Sequence, residues 1–263
     1  LEKTLGAKQL DSTLLLFIGR AIGWSACHSA ALATAAAILP MPAVGAIMAT
    51  PDAFLGLCLQ ALILLLIVAA DSRSPWPWIL MGVITGLALM TKHSAFLFFP
   101  MALTIALQTS SLRACLKSYR PYLASFIALL VAAPYFNAEA ISGFPSLTHQ
   151  SAHIVGQLPG ASSPWYLAPL RWGEVLLGQF ALLSPIVFIL VASALKHAGQ
   201  WRDSERIAAT GLLFPIAATV LVATFTHAEQ NWASIGHPLA VFVVWRMSAP
   251  AMSRRRTLIT ALL

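Results

Sequence analysis

Residues 52–70 read DAFLGLCLQALILLLIVAA, nineteen positions with no charge after the opening Asp52. Hydrocarbon offers no partner to backbone N–H and C=O groups, so an apolar stretch of this length is a helix that can cross a bilayer core of about 30 Å. Working outward, further apolar runs lie at about 10–20 and 22–39 upstream. Downstream they lie at about 76–91, 94–109, 120–136, 172–195, 207–225 and 233–249. The run at 10–20 is too short to cross alone. The remaining runs predict an all-α, polytopic transmembrane bundle of about eight to nine helices.

Composition agrees with lipid as the main solvent. Hydrophobic residues make up 59% of the 263 positions and charged residues 10%, against about 25% charged in soluble domains. Mean hydropathy is +0.79. The net charge of +7 comes from short basic clusters between apolar runs, with no aromatic-interleaved basic face, glycine-rich phosphate loop or zinc-type Cys pairing. Nucleic-acid binding is excluded on that pattern. Cys27, Cys58 and Cys115 stand isolated in or beside apolar stretches and imply no disulfide framework.

The basic clusters also give a topology. Arg20, Arg73, Arg113, Lys117, Arg120, Lys196, Arg202, Arg206, Arg246 and Arg254 to Arg256 fall on one side, twelve of the sixteen Lys and Arg. The positive-inside rule makes that side cytoplasmic. The loops at 40–51, 92–93, 137–171 and 226–232 then face outward, and 137–171 is the longest, with Trp165, Tyr166 and Trp172 as an interfacial anchor near its end. The expectation is one transmembrane domain over 1–263 with an external loop at 137–171.

Ionisable groups near membrane depth are costly and mark function by default. Here they gather on the external face. Asp52 follows Thr50-Pro51 at a helix start, a cap and dipole position that could also hold a sugar hydroxyl or a metal ion. Lys92 lies outside, where positive charge is avoided, and asks for an anion such as a phosphate diester, or else a lipid headgroup to snorkel to. His149 and His153, four apart, would share a helix face and could ligate metal, or could be polar surface; His149-Gln150 could equally bond a sugar. Glu229-Gln230-Asn231-Trp232 combines groups for hydroxyls with a ring that can stack on a sugar or anchor at the interface. Glu174 near Arg171 adds a further carboxylate.

These segments, in this order, resemble glycosyltransferase family 39 and its bacterial relatives, which include protein O-mannosyltransferases and lipid A aminoarabinose transferases. The resemblance runs through Ala49-Thr50-Pro51-Asp52-Ala53, then Gly86 to Ala95 with Thr91-Lys92-His93-Ser94 at its end, then Asn137-Ala138-Glu139 and His149-Gln150. Gln179-Phe180, Ser184-Pro185 and Glu229-Gln230-Asn231-Trp232-Ala233 complete it. It implies a GT-C bundle whose external cavity takes a sugar from a polyprenyl-phosphate carrier and passes it, with inversion, to a lipid, glycan or protein acceptor. Lys92 would face the carrier phosphate and Asp52 the cavity as catalytic candidate. His93, Asn137, Glu139, His149, Gln150, Glu229, Asn231 and Trp232 would line the substrate.

The family also places acidic residues in the first external loop after its first helix, as base or metal ligands, and no segment here matches that loop. The expectation is a piece of a longer enzyme whose base lies elsewhere and which does not turn over by itself. A divalent metal held among Asp52, Glu139, His149 and His153 stays open. A bacterial inner membrane is expected from the Ala-rich composition. A transporter or lipid flippase is the alternative, although no paired halves are visible and the polar groups gather at one face rather than at mid-bilayer.

Overall fold

The computed structural model describes residues 2–40, 43, 51–149 and 165–245. Among these residues there is no strand. The α-helices in chain order are α1 (Glu2–Ala21), α2 (Ala26–Ala37), α3 (Pro51–Asp71), α4 (Trp76–Thr91) and α5 (Phe98–Gln108), followed by α6 (Ser110–Cys115), α7 (Arg120–Ile141), α8 (Ala168–Leu182), α9 (Pro185–Leu195) and α10 (Asp203–Phe225). An all-α bundle is the observed architecture. Among the described residues, α6 is added to the expected runs and the run at 172–195 divides in two.

α3 is the centre of the bundle. It packs against α1, α4, α10 and a late 3-10 segment, and its large side chains Leu55, Leu59, Ile63 and Leu66 are fully buried. Gln60, at its middle, is buried and donates to Asp11 Oδ1 across the contact with α1. α5 meets α10 through a hydrogen bond of 3.1 Å from Thr210 Oγ1 to Gln108 Oε1. The helices α3, α7 and α10 are each long and apolar enough to cross a membrane, and the bent pair α8–α9 makes a fourth if counted as one span.

α4 and α7 meet by a different device. Gly82 and Gly86 are spaced as Gly-x-x-x-Gly, and they let the two backbones approach closely. A Cβ at Gly82 would lie 2.6 Å from the Ala124 carbonyl oxygen, and one at Gly86 would lie 2.6 Å from Val131 Cβ. On the facing side, α7 buries the small residues Ala128 and Ala132.

Three runs depart from their sequence reading. The helix expected at 120–136 continues to Ile141 through Pro134, so Asn137 and Glu139 lie on its last turns rather than in a loop. The run at 172–195 is broken after α8, and α9 leaves at an angle of 112°. Ser184 takes a positive φ of 79° immediately before Pro185, whose ring cannot follow a helical residue without conflict. The run at 233–249 opens as a 3-10 helix over Gln230–Leu239, with α-helix only from Ala240 to Trp245, the last described residue. Pro238 removes an amide donor from that segment. Gly236 presses on α10, where a Cβ would come 2.7 Å from the Gly211 carbonyl oxygen.

Candidate functional site

The antiparallel packing of α3 and α4 brings the start of one helix to the end of the other. Pro51 and Asp52 open α3, where the N-terminal dipole favours a carboxylate. Lys92 closes α4 by turning extended, with φ −157° and ψ 134°, while its amide still bonds the Ala88 carbonyl at 3.1 Å. The two side chains meet: Lys92 Nζ lies 2.7 Å from Asp52 Oδ1, with the side chains 21% and 19% exposed. Forty positions separate them in sequence, and only the helix pairing joins them.

The ion pair sits on the wall of a cavity of about 550 Å³. Asp52, Lys92, His93, His149, Glu229 and Trp232 all line it, so six of the residues singled out in sequence converge on one space. Most of the remaining wall is apolar, with Phe98 and Met101 from α5, Phe214 from α10 and the rings and chains around them. The cavity therefore has a charged station on a greasy wall.

Each polar member is held differently. His93 begins the 3-10 turn His93–Leu97, and its ring lies 5.9 Å from Tyr135 and 6.3 Å from Phe136 of α7, centroid to centroid. Trp232 Nε1 donates to Glu229 Oε2 at 3.1 Å, which orients both at the start of the Gln230–Leu239 segment. His149 lies in a helical turn that begins at Pro145.

Other sequence candidates lie off the cavity wall. Glu139 is buried and takes both the Ser146 amide (3.1 Å) and the Ser146 hydroxyl (2.7 Å) on its carboxylate. It closes the turn through Gly143 and Phe144, both at positive φ. Asn137 is exposed on α7. Asn231 is half-buried, and its carbonyl accepts from Ser234 Oγ at 2.6 Å. Gln150 and His153 lie outside the described residues. Among the described residues no three His, Cys, Asp or Glu side chains gather as a metal site.

Beneath the Glu229–Trp232 corner lies a polar pair whose contact the sequence reading missed. Gln179 and His237 are both fully buried, with Gln179 Oε1 2.8 Å from His237 Nε2. The visible signal was a glutamine and a histidine inside apolar runs, where each needs a partner.

Residues 12–136 match the family model described as dolichyl-phosphate-mannose-protein mannosyltransferase. Over that stretch, just under half of the chain, the sequence is similar to this family. No curated protein and no solved structure matches it. The matched stretch carries Asp52, Lys92 and His93, and the polar remainder of the cavity wall, His149, Glu229 and Trp232, comes from beyond it. The similarity is thus to a membrane mannosyltransferase family, over the part of the chain that holds the Lys92–Asp52 pair.

Proposed function

We propose that the chain transfers a sugar from a polyprenyl-phosphate carrier to a lipid, glycan or protein acceptor at the outer face of a bacterial inner membrane. The observation that carries this reading is the Lys92–Asp52 pair on the wall of a largely apolar cavity. A polyprenyl-phosphate sugar has the matching parts: an anion for an ammonium, a long apolar chain for apolar walls, and a sugar whose face can stack on Trp232 and whose hydroxyls can bond Glu229 or His149.

In this reading Lys92 holds the carrier phosphate and stabilises it as it leaves. The acceptor oxygen attacks the anomeric carbon from the opposite face, the bond from that carbon to the phosphate oxygen breaks, and the acceptor proton passes to a base. Asp52 is the carboxylate nearest the phosphate station. While it is paired with Lys92 its Oδ1 is occupied by the ammonium; phosphate binding to the lysine would free that oxygen.

The test is binding of a polyprenyl-phosphate mannose to the purified protein in detergent. Lys92→Ala should weaken binding at least about tenfold, the loss of a charge-assisted contact. Asp52→Asn should bind at least as tightly as the wild type, because the lysine is no longer neutralised. Absence of binding by the wild type, or equal binding by Lys92→Ala, would overturn the proposal.

One observation favours the transporter alternative: the 112° break between α8 and α9 resembles the interrupted helices of carriers. Uptake of labelled lipid into vesicles, without glycosyl transfer, would select that reading.

A further inference from the structure

The corner that presents Glu229 and Trp232 to the cavity starts a ten-residue 3-10 segment, a helix type with poor hydrogen-bond geometry that rarely persists so long unsupported. Its support comes from α8. Gln179, fully buried, donates from Nε2 to the Gln230 carbonyl at 2.7 Å, one residue beyond Glu229 and two before Trp232. The amide orientation that this bond fixes turns Oε1 toward His237, 2.8 Å away. The His237 ring must then carry its proton on Nε2. Its Nδ1 is buried with no hydrogen-bond partner among the described residues, so the imidazole has a single anchor, and that anchor is Gln179.

Gln179 therefore touches the segment twice, near its first residue and near its last turn. The neighbouring Gly178 completes the seat: any Cβ there would overlap the side chain of Gln230. Gly236, within the segment itself, packs against α10 and closes the other side. About two turns back along α8, Arg171 Nη2 donates to the Thr224 carbonyl at 3.0 Å and Trp172 Nε1 to Thr224 Oγ1 at 3.1 Å. Those contacts fix α8 against the end of α10, from which the corner departs.

We propose that Gln179 is a positioning residue, which sets the placement of Glu229 and Trp232 on the cavity wall by holding the Gln230 carbonyl and the His237 ring together. It does not line the cavity itself. The inference rests on the donor-site reading above for its effect on binding, but not for its effect on the corner.

The test uses the full chain in detergent, labelled with 5-fluorotryptophan. The Trp232 line is assigned by Trp232→Phe, and Trp78, at the opposite end of α4 from Lys92, serves as reference. Gln179→Leu removes both bonds at similar volume. Gln179→Glu keeps an acceptor for His237 but brings no N–H to the Gln230 carbonyl. Both should shift the Trp232 line and leave the Trp78 line in place. His237→Gln, whose amide nitrogen reaches the position of Nε2, should resemble the wild type, whereas His237→Leu should shift the line. Thr210→Val, which deletes the hydrogen bond to Gln108 away from the cavity, is the control for general loosening.

In parallel, affinity for polyprenyl-phosphate mannose should fall about tenfold in Gln179→Leu and be unchanged in Thr210→Val. A Trp232 line that stays put in both Gln179 variants, or that moves as far in Thr210→Val, overturns the positioning role. A shifted line with undiminished binding overturns its bearing on the donor. If the wild type binds no donor, the functional reading fails while the fluorine spectra still decide the role of Gln179.

Discussion

α3 and α7 have nearly the same length, 21 and 22 residues, and both are apolar enough to cross a membrane, yet 61% of the apolar window of α3 is buried inside the protein and only 17% of that of α7. The difference lies in what each helix offers its neighbours. α3 gives large branched side chains to several partners at once. α7 gives α4 one stripe of small residues and leaves Phe126, Leu129 and Leu130 exposed. Hydropathy reports the solvent that a helix tolerates, and side-chain size along one face reports whether another helix is there.

Three substitutions sharpen or break this contrast. The largest effect is expected from Gly86→Leu, which drives a branched side chain into Val131 and the Ala128 carbonyl. It should destabilise the protein by about 3 kcal/mol through overpacking, read as a lower SDS midpoint for unfolding in mixed micelles. A wild-type midpoint would mean that α4 and α7 are not in close backbone contact. Leu59→Ala empties a fully buried site on α3 and should cost about 2 kcal/mol in the same titration. An equal loss from Leu130→Ala, which is 61% exposed on α7, would erase the distinction; less than about 0.5 kcal/mol is expected there.

The start of α3 and the end of α4 were readable because proline, a carboxylate and a cluster of polar groups punctuate the chain at those points, and 52–70 and 76–91 match the observed helices to within a residue. That Asp52 and Lys92 pair with each other was not readable, since the contact depends on which two helices lie side by side. Glu139 was expected at the substrate through the Asn137-Ala138-Glu139 resemblance; α7 runs on past Pro134, and there its carboxylate closes a local turn on Ser146, a contact that no sequence pattern announced. The break at Ser184 did carry a local signal, a residue before proline. The 3-10 course of Gln230–Leu239 carried almost none, because it is imposed by the glycine contacts with α10 and by the glutamine of α8, all remote in sequence.

Phe96, Leu97 and Leu221 belong to the cavity wall, and they are also 46%, 40% and 62% exposed. The wall is apolar and open at these positions, and where a bundle of this kind spans a bilayer such a wall would meet hydrocarbon rather than water. A long-chain lipid arriving through that side would search for its site in two dimensions and never lift its tail out of hydrocarbon. With about 0.8 kcal/mol at stake for each methylene kept from water, the entrance would favour what travels within the membrane over what is dissolved beside it.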